Sequence, residues 1–236
     1  MNISQTDVKP IIIIDKPLHI TSMTVVRILR RILKSTGVKR IGYAGTLDPY
    51  ATGVLIVGIG REGTRRLGGL TDKDKEYICE IDLLKNSLSG DMEKFLPAYQ
   101  MERPDQIDIP AIGLIEHLIK EKFIGEIIQI PPTLSAIKIN GNKACDLVRK
   151  NIKVEIPERT VEIYRIDILS YQFPILELRV NCSKGTYIRT LGQDIGKALG
   201  LWGTVRSLRR TRCGEYLIEN ALDLNKITID DLIKIK

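Results

Sequence analysis

The carboxylate of Asp48 stands in a stretch of sequence that is suited to presenting a reactive group. Residues 42–53 read Gly-Tyr-Ala-Gly-Thr-Leu-Asp-Pro-Tyr-Ala-Thr-Gly, so three glycines and a proline surround the aspartate. Glycine lets the backbone turn tightly or approach a ligand closely, and Pro49 disfavours a helical conformation at Asp48. The apolar run at residues 54–57 predicts a buried strand that supports this loop. Asp48 could therefore act as a nucleophile or a general base, although an Asp-Pro pair is also typical of a plain turn.

The second chemical feature is a clustered excess of basic side chains. The chain has 36 lysines and arginines against 29 aspartates and glutamates, which gives a formal net charge of +7. Four arginines fall within seven residues, at positions 206, 209, 210 and 212. The outer face of a predicted helix carries a further basic group, Arg27, Arg30, Arg31 and Lys34. Such clusters predict contacts with the phosphates of a nucleic acid, although a basic helix face can also be merely solvated.

Apolar periodicity and turn residues divide the chain into strands and helices. We expect strands at about residues 11–14, 54–59, 77–82, 134–139, 161–169 and 176–182. We expect helices at about residues 22–34, 112–122, 144–150 and 186–199, with Ser22 as the N-cap of the first and Gly37 beyond its end. Pro131 and Pro132 mark a boundary, because proline interrupts both helices and central strands. The pattern predicts one α/β domain whose mixed sheet is mostly antiparallel.

Composition excludes several classes of protein and of site. Hydrophobic residues make up 43% and charged residues 28% of the chain, which is typical of a folded globular protein. No apolar run approaches the ~20 residues of a membrane-spanning helix, and Met1 to Lys9 is too polar for a signal peptide, so we expect a cytoplasmic protein without membrane contact. Four scattered cysteines and two histidines predict neither a metal site nor a disulfide framework. Motifs for nucleotide phosphates, dinucleotides and nucleophilic serine or cysteine are absent, so the chemistry must rest on a carboxylate.

Four motifs, in order along the chain, are similar to those of one enzyme family. They are Asp15-Lys16-Pro17 with Thr21-Ser22, the stretch at residues 45–55, Gln129-x-Pro-Pro with Ser135-Ala136-x-Lys138, and Cys182-Ser-Lys-Gly-Thr-Tyr-Ile-Arg-Thr-Leu with Leu208-Arg209-Arg210-Thr211. Together they resemble the TruB family of tRNA pseudouridine synthases over residues 11 to about 216. A lone Leu-Asp pair would be weak evidence, whereas four ordered motifs of this length are specific.

The resemblance implies an α+β pseudouridine synthase fold, in which helices flank the mixed sheet. It places the catalytic domain at residues 1–215, with a small RNA-clamping insertion at about 124–152. Residues 216–236 form a short tail, where many relatives carry a small C-terminal RNA-binding domain. The implied reaction isomerises uridine-55 in the T-loop of tRNA without cofactor or metal. In this reaction, the uracil leaves its stack, is detached from the ribose, rotates and is rejoined through carbon. We expect the protein to be a monomer.

The resemblance also assigns roles to individual residues. Asp48 matches the catalytic aspartate, which acts either as a nucleophile at C1′ or as a base at C2′ of the ribose. Tyr77 matches the tyrosine that packs on the target base, and Arg189 matches the arginine that pairs with the aspartate. The expected substrate-binding residues are Lys16, Tyr43, Arg65, Tyr187 and Leu208. The expected RNA-binding residues are Lys138, Arg149, Arg209 and Arg210.

The chain departs from the family pattern at several positions. His19 replaces a usual glycine, Tyr43 replaces a histidine, Leu134 replaces a tyrosine, and Arg65 stands where lysine is usual. The Thr-Asp-Thr-rich turn of the family is not visible at residues 84–94. Tyr43 keeps an aromatic face for stacking but lacks an imidazole. These departures put the choice of RNA substrate in question.

Two alternatives therefore stay open. The chain could be a pseudouridine synthase that acts on another structured RNA, or a non-catalytic RNA-binding or RNA-folding protein on the same scaffold. The joint presence of Asp48, Tyr77 and Arg189 argues against the second alternative, because phosphate binding needs no buried carboxylate. A DNA-binding module is favoured less, since no helix-turn-helix or basic-zipper pattern is present.

Overall fold

The helices and strands are taken from a computed structural model, which describes residues 7–87, 89–92, 107–132, 135, 137–139, 141–144, 147 and 155–234. The helices are α1 (Ser22–Ile32), α2 (Gly60–Leu70), α3 (Ile112–Lys122), α4 (Ile188–Ala198) and α5 (Ile229–Leu232). The strands are β1 (Ile11–Lys16), β2 (Ile41–Ala44), β3 (Ala51–Ile59), β4 (Lys75–Asp82), β5 (Gly125–Gln129), β6 (Lys138–Ile139), β7 (Asn142–Lys143), β8 (Arg159–Gln172), β9 (Ile175–Cys182), β10 (Thr204–Cys213), β11 (Tyr216–Leu217) and β12 (Leu222–Asp223). Within these described ranges, no helix combines the length and the hydropathy needed to cross a membrane.

The chain divides into two compact units. The first unit comprises Met1–Tyr77 and Leu208–Lys236, and the second comprises Ile78–Ser207. The strand pairs β1–β3, β2–β3, β5–β8, β8–β9 and β10–β11 are antiparallel, whereas β1–β12 and β3–β10 are parallel. The expectation of a mixed, mostly antiparallel sheet with flanking helices is thus confirmed.

The first unit is built around β3, the most completely buried strand of its sheet. The strand order is β12-β1-β3-β10, with β2 also paired to β3 and β11 to β10. The four apolar residues at 54–57 have no exposed surface, so both faces of β3 are covered. Helix α2 packs against β2 and β3, and α1 packs against β2. A strand that is covered on both faces is a rigid support for the loop that precedes it.

The start of α1 differs from the expectation in one residue. Thr21, not Ser22, is the N-cap, since the Thr21 hydroxyl accepts a hydrogen bond from the Thr24 N–H at 3.0 Å. Ser22 is the first helical residue and is buried, which frees its hydroxyl to bond outside the helix. The helix ends at Ile32, and a turn of 3-10 helix leads to Gly37, whose φ of 72° provides the expected stop.

Helix α2 is an element that the sequence did not predict, because its glycines obscure the apolar periodicity. Gly63 of α2 and Gly58 of β3 have a packing role. A Cβ added at Gly63 would overlap the carbonyl of Pro10, and one added at Gly58 would lie 2.6 Å from the Gly63 carbonyl oxygen. The backbone of α2 therefore lies directly on β3, which fixes the position of the basic side chains on the outer face of the helix.

In its described part, the second unit contains long antiparallel strand pairs and the helices α3 and α4. Its strand order is β4-β9-β8-β5. Every second residue of β9 is buried, as its alternating sequence predicts. The expected inward residues of the helices are buried in α3 (Ile115, Leu118, Ile119) and in α4 (Ile188, Leu191, Ile195).

The predicted insertion at about residues 124–152 is described in part, and the C-terminal segment at residues 216–236 is described up to residue 234. Strand β5 pairs with β8, while β6 and β7 pair with each other, as expected for a hairpin around Asn140-Gly141. Leu134, Asn140, Arg149 and most of the helix predicted at 144–150 lie outside the described residues. In the C-terminal segment, β12 pairs with β1, and Thr228 and Asp231 form a capping box at the start of α5.

Candidate active site

The loop at residues 45–50 connects β2 to β3 and carries Asp48 in a half-buried position. Its main fixed point is Leu47, which is buried. The Ser22 hydroxyl donates to the Leu47 carbonyl and accepts from the Leu47 N–H, both at 3.0 Å. On the other side, the Ala51 N–H donates to the Asp48 carbonyl at 3.0 Å and closes the turn. These bonds fix the backbone on both sides of the carboxylate.

Lys16 is fully buried at the end of β1, within electrostatic range of the loop. Its ammonium donates to the carbonyls of Pro17 at 2.8 Å and Ile20 at 2.9 Å. Burial lowers the pKa of Lys16 to about 8, while the negative charge of Asp48 opposes this shift and the positive charge of Arg210 adds to it. Lys16 thus still carries its charge at neutral pH and places it near Asp48.

Arg210 supports the same loop from β10. It is 1% exposed, and its guanidinium donates from Nε to the Val54 carbonyl at 2.8 Å and from Nη2 to the Gly45 carbonyl at 2.7 Å. A Cβ added at Gly53, where φ is 101°, would overlap the backbone carbonyl of Arg210. The expectation that Arg210 binds RNA does not fit this position, because a fully buried guanidinium cannot reach a phosphate. Arg210 instead holds β3 to the beginning of the Asp48 loop.

Its neighbours in β10 keep part of their surface exposed. Leu208 is half-buried and pairs with Ala51 in the parallel register of β10 with β3. The Arg209 guanidinium forms two hydrogen bonds with the Asp15 carboxylate, at 2.7 and 3.0 Å, and its side chain is 41% exposed. A phosphate bound by Arg209 would therefore share it with Asp15. The RNA-binding role of Arg209 stays a prediction.

The segment before α1 holds the other end of the loop. Among the described residues, His19 is the residue other than glycine with a positive φ, at 65°. Its N–H donates to the Pro49 carbonyl at 2.8 Å, and the Lys16 ammonium approaches the same oxygen at 3.4 Å. The exposed His19 ring meets the Tyr50 ring edge-on, with centroids 5.9 Å apart. The sequence showed only that a usual glycine was replaced and gave no sign of this contact.

The remaining predicted residues of the first unit lie on three different elements. Tyr43 is half-buried in β2, opposite Val57 of β3. Tyr77 is in β4 and is 6% exposed. Arg65 is exposed on the outer face of α2. Their roles toward a substrate stay predictions.

Arg189 belongs to the second unit, where a turn holds it. It is 3% exposed; its Nη1 donates to the Ser89 carbonyl at 2.7 Å, and its Nε lies 3.6 Å from Asp91 Oδ2. The Ser89 hydroxyl donates to Asp91 Oδ1 at 2.7 Å, and that of Ser87 donates to the Asp91 carbonyl at 2.7 Å. Sequence reasoning missed Ser89 and Asp91, although hydroxyls beside Gly90 and an aspartate are typical of a turn. The expected pairing of Arg189 with Asp48 stays a prediction.

Tyr187 is fixed at the start of α4. Its N–H donates to Gln129 Oε1 at 3.0 Å, and Gln129 Nε2 donates back to the Tyr187 carbonyl at 3.3 Å. The guanidinium of Arg159 lies 5.7 Å from the centroid of the Tyr187 ring. Lys138 is in the short strand β6, and Arg149 lies outside the described residues.

The arrangement in the first unit can support chemistry at a carboxylate. The Lys16 ammonium interacts electrostatically with Asp48 and lies 3.4 Å from the Pro49 carbonyl, and Arg210 donates to the Gly45 carbonyl of the same loop. Positive charge near a carboxylate favours its ionised form. An ionised carboxylate on a fixed loop can attack an electrophilic carbon or accept a proton. No cluster of metal-binding side chains is present among the described residues.

Comparison with known proteins connects this geometry to one family. The sequence-family model described as "TruB family pseudouridylate synthase (N terminal domain)" matches residues 30–188. The family model described as "tRNA pseudouridylate synthase B C-terminal domain" matches residues 189–235. A protein of Clostridium tetani named tRNA pseudouridine synthase B is 40% identical over 92% of this chain and 72% of its own length. A protein of the same name from Phocaeicola vulgatus is 41% identical over 89% of this chain and 88% of its own length.

Solved structures agree with the sequence relatives. The chain is similar to one in the archaeal box H/ACA sRNP Nop10-Cbf5 complex, with 30% identity, a TM-score of 0.66 and 94% of this chain covered. It is also similar to one in a Cbf5-Nop10-Gar1 complex, with 32% identity, a TM-score of 0.67 and 91% covered. The chain spans about half the length of those two structures, 53% and 52%.

Proposed function

Because the chain belongs to the TruB family of pseudouridylate synthases, we propose that its substrate is uridine-55 in the T-loop of tRNA. Members of this family are isomerases that convert uridine to pseudouridine, and this chain is one of them. The relatives named tRNA pseudouridine synthase B support a tRNA substrate. The observation that carries the proposal is the Asp48 carboxylate on a loop fixed by Ser22 and supported by two buried cations.

The reaction exchanges one bond of the nucleoside for another. The C1′–N1 bond breaks, a C1′–C5 bond forms, C5 loses its proton and N1 gains one, so the product is an isomer of the substrate. Ionised Asp48 can start the exchange by attacking C1′ or by removing the proton at C2′. Both routes need a negative charge at Asp48, which Lys16 and Arg210 favour through their positive charge.

The aromatic residues complete the proposal at the target base. A uridine that leaves its stack needs apolar and aromatic surfaces to replace its neighbours. We assign Tyr77 to stacking and to movement of the C5 proton, with Tyr43, Tyr187 and Leu208 around the base, and Arg189 as the partner of Asp48. For Tyr77→Phe we expect nearly normal tRNA binding and a single-turnover rate lower by ~10²-fold, the usual effect of losing general acid or base help. A wild-type rate in this variant would remove Tyr77 from the chemistry.

The grip on RNA rests on exposed or partly exposed basic residues. Arg209 and Arg65 retain exposed surface, and Lys138 and Arg149 belong to the predicted insertion. These residues would contact phosphates, which position an RNA without reading its sequence. Since tRNA is the proposed substrate, we place the enzyme in the cytoplasm. We also propose that it is a monomer, and elution from a size-exclusion column at twice the mass of the chain would contradict this.

The experiment that tests the proposal maps pseudouridine at single-nucleotide resolution in tRNA transcripts incubated with the purified protein. We expect modification at uridine-55 and none in a transcript with cytidine at that position. Modification at another uridine would favour the alternative of a different structured RNA. Tight binding without any pseudouridine would instead favour the non-catalytic RNA-binding alternative.

A further inference from the structure

We propose a second RNA-binding site in the first unit, at the start of α2, where three arginines bind backbone phosphates well away from the target uridine. The site consists of Arg40, Arg61 and Arg65, with Thr64 between them. The inference rests on the proposed function in one respect, because it takes an RNA longer than the modified loop as the substrate.

The four side chains line one open cavity of about 440 Å³. Arg61, Thr64 and Arg65 are spaced at i, i+3 and i+4 along α2, so they lie on one face of the helix. Arg40 comes from the residue before β2 and faces the same cavity. Guanidinium groups that converge on a concave surface match the geometry and charge of phosphate.

Within the described part of the chain, no acidic side chain lines this cavity. Glu62, the acidic residue in the first turn of α2, lines an adjoining cavity with Arg65 and Arg66 and forms its ion pair with Arg66. No ion pair of the described residues involves Arg40, Arg61 or Arg65. Like charges four residues apart repel each other, and Arg61 also lies at the positive end of the helix dipole. A bound phosphate would relieve both effects.

The arginines are mounted on rigid elements, so the site is formed before RNA arrives. Gly58 and Gly63 allow α2 to lie directly on β3. The Gly60 N–H donates to the Arg40 carbonyl at 2.8 Å, which ties the start of the helix to the entry of β2. A preformed cluster binds without the cost of ordering mobile segments.

The length of β3 separates this site from Asp48. Strand β3 begins at Ala51, three residues after Asp48, and ends at Ile59, directly before α2. Nine residues of extended chain span roughly 25 Å. The arginines therefore contact RNA that extends beyond the flipped uridine and its neighbours, which gives the proposal a test based on RNA length.

The test measures the salt dependence of binding for two RNAs, a full-length tRNA and a T-loop closed by the shortest stem that folds. Arg61→Gln and Arg65→Gln each remove one charge but keep an unbranched side chain suited to the helix. A plot of log affinity against log salt concentration has a negative slope. On full-length tRNA, we expect each variant to make this slope less steep by about one unit. On the short hairpin we expect no change in the slope. For Arg61→Gln with saturating tRNA we expect an unchanged single-turnover rate.

Arg66→Gln is the matched control, since it changes the same charge on the same helix at an ion-paired position. The proposal is overturned if Arg66→Gln lowers the slope as much as the other two variants, or if the short hairpin loses as much affinity as the full-length tRNA. Thermal melting of all three variants identifies any loss of folding, and Arg61→Lys then tests whether the charge alone restores the slope. Failure to form pseudouridine would contradict the proposed reaction but would leave these slopes measurable.

Discussion

The Asp48 loop and the turn that contains Ser87, Ser89 and Asp91 each carry a carboxylate with a buried cation nearby. The two regions differ in what balances the charge of that cation. Near Asp48, the buried cations Lys16 and Arg210 direct their hydrogen bonds to backbone carbonyls. In the turn, the buried Arg189 also donates to a carbonyl, that of Ser89, but its Nε lies 3.6 Å from the carboxylate of Asp91. The loop therefore collects positive charge around a carboxylate, whereas the turn balances an arginine with a carboxylate of its own.

The cations near Asp48 are arranged to influence the reactivity of a carboxylate, whereas the pair in the turn fixes the position of an arginine. Cations whose hydrogen bonds go to carbonyls keep a net positive charge, which can stabilise a negative charge that reacts. A buried arginine with a carboxylate neighbour contributes less net charge, and its position is fixed by the pair. We therefore expect changes in the loop to act mainly on rate, whereas changes in the turn also lower stability.

The largest expected effect is that of Asp48→Asn, which removes the charge but hardly alters the shape. The rate of pseudouridine formation should fall by about 10⁴-fold or more, because no neutral amide can attack C1′ or accept the proton at C2′. Single-turnover assays measure the rate, and salt-dependent binding should remain at the wild-type value. Asp223→Asn, at an exposed residue of β12, is the control and should retain the rate. Turnover by Asp48→Asn above the trace expected from deamidation would contradict the assignment.

Arg189→Met tests the turn. The change leaves the Asp91 carboxylate buried without its arginine, so the free energy of unfolding should drop by ~3–5 kcal/mol. Adding Asp91→Leu should restore much of that stability, because both charges of the pair are then gone. Urea unfolding of the single and double variants measures both quantities. A double variant that is no more stable than Arg189→Met would show that Asp91 is not the balancing group.

Lys16 gives the loop a pH dependence of predictable sign. The pKa of Lys16 is lowered from 10.5 to about 8 by burial. Between these values the unfolded chain holds a proton that the folded protein has released, so the stability due to this residue rises with pH and is lost as pH falls through 8. The stability of the wild type relative to Lys16→Met should increase by roughly 3 kcal/mol across this window. A relative stability that stays constant from pH 7 to pH 11 would contradict the shift.

The smallest expected effect concerns Ser22, whose hydroxyl makes two hydrogen bonds to Leu47. Ser22→Ala should lower the free energy of unfolding by ~1–3 kcal/mol, because polar groups of a buried backbone lose their partner. It should also slow turnover, since Leu47 adjoins Asp48. Thr21→Ala is the matched control: loss of this N-cap costs ~1 kcal/mol but leaves the loop contacts in place. Equal turnover in the two variants would show that the Ser22 bonds do not position Asp48.

The fold was predictable wherever a regular period was visible. The alternation in β9 and the apolar stripe of α3 identified both elements, because burial on one face leaves a period in the sequence. Helix α2 gave no such signal, since glycines chosen for close packing at residues 58 and 63 add nothing to an apolar stripe. The cap of α1 was misplaced by one residue because Thr21 and Ser22 are both good N-caps, and only the bond to Leu47 distinguishes them.

The site was predictable where its cause is local and not where it depends on distant residues. The position of Asp48 on a tight, non-helical loop was predictable from its neighbours Gly45, Pro49 and Gly53 alone. The assignment of Arg209 and Arg210 to one RNA-binding surface overlooked the period of a strand, in which successive side chains point to opposite faces. One of the two had to face inward, and the structure shows that it is Arg210. Its acceptors, the carbonyls of Val54 and Gly45, have no signature in the sequence.

The bonds of Arg210 also set an order in time for a chain emerging from the ribosome. The loop at residues 45–50 is made early in synthesis, but the guanidinium that supports it is separated from Gly45 by 165 positions along the chain. Contacts between such distant segments form late, because the chain between them must first be synthesised and closed into a loop. The Asp48 loop therefore reaches its final arrangement only after β10 has left the ribosome, and until then the chain carries Asp48 without the support of Arg210.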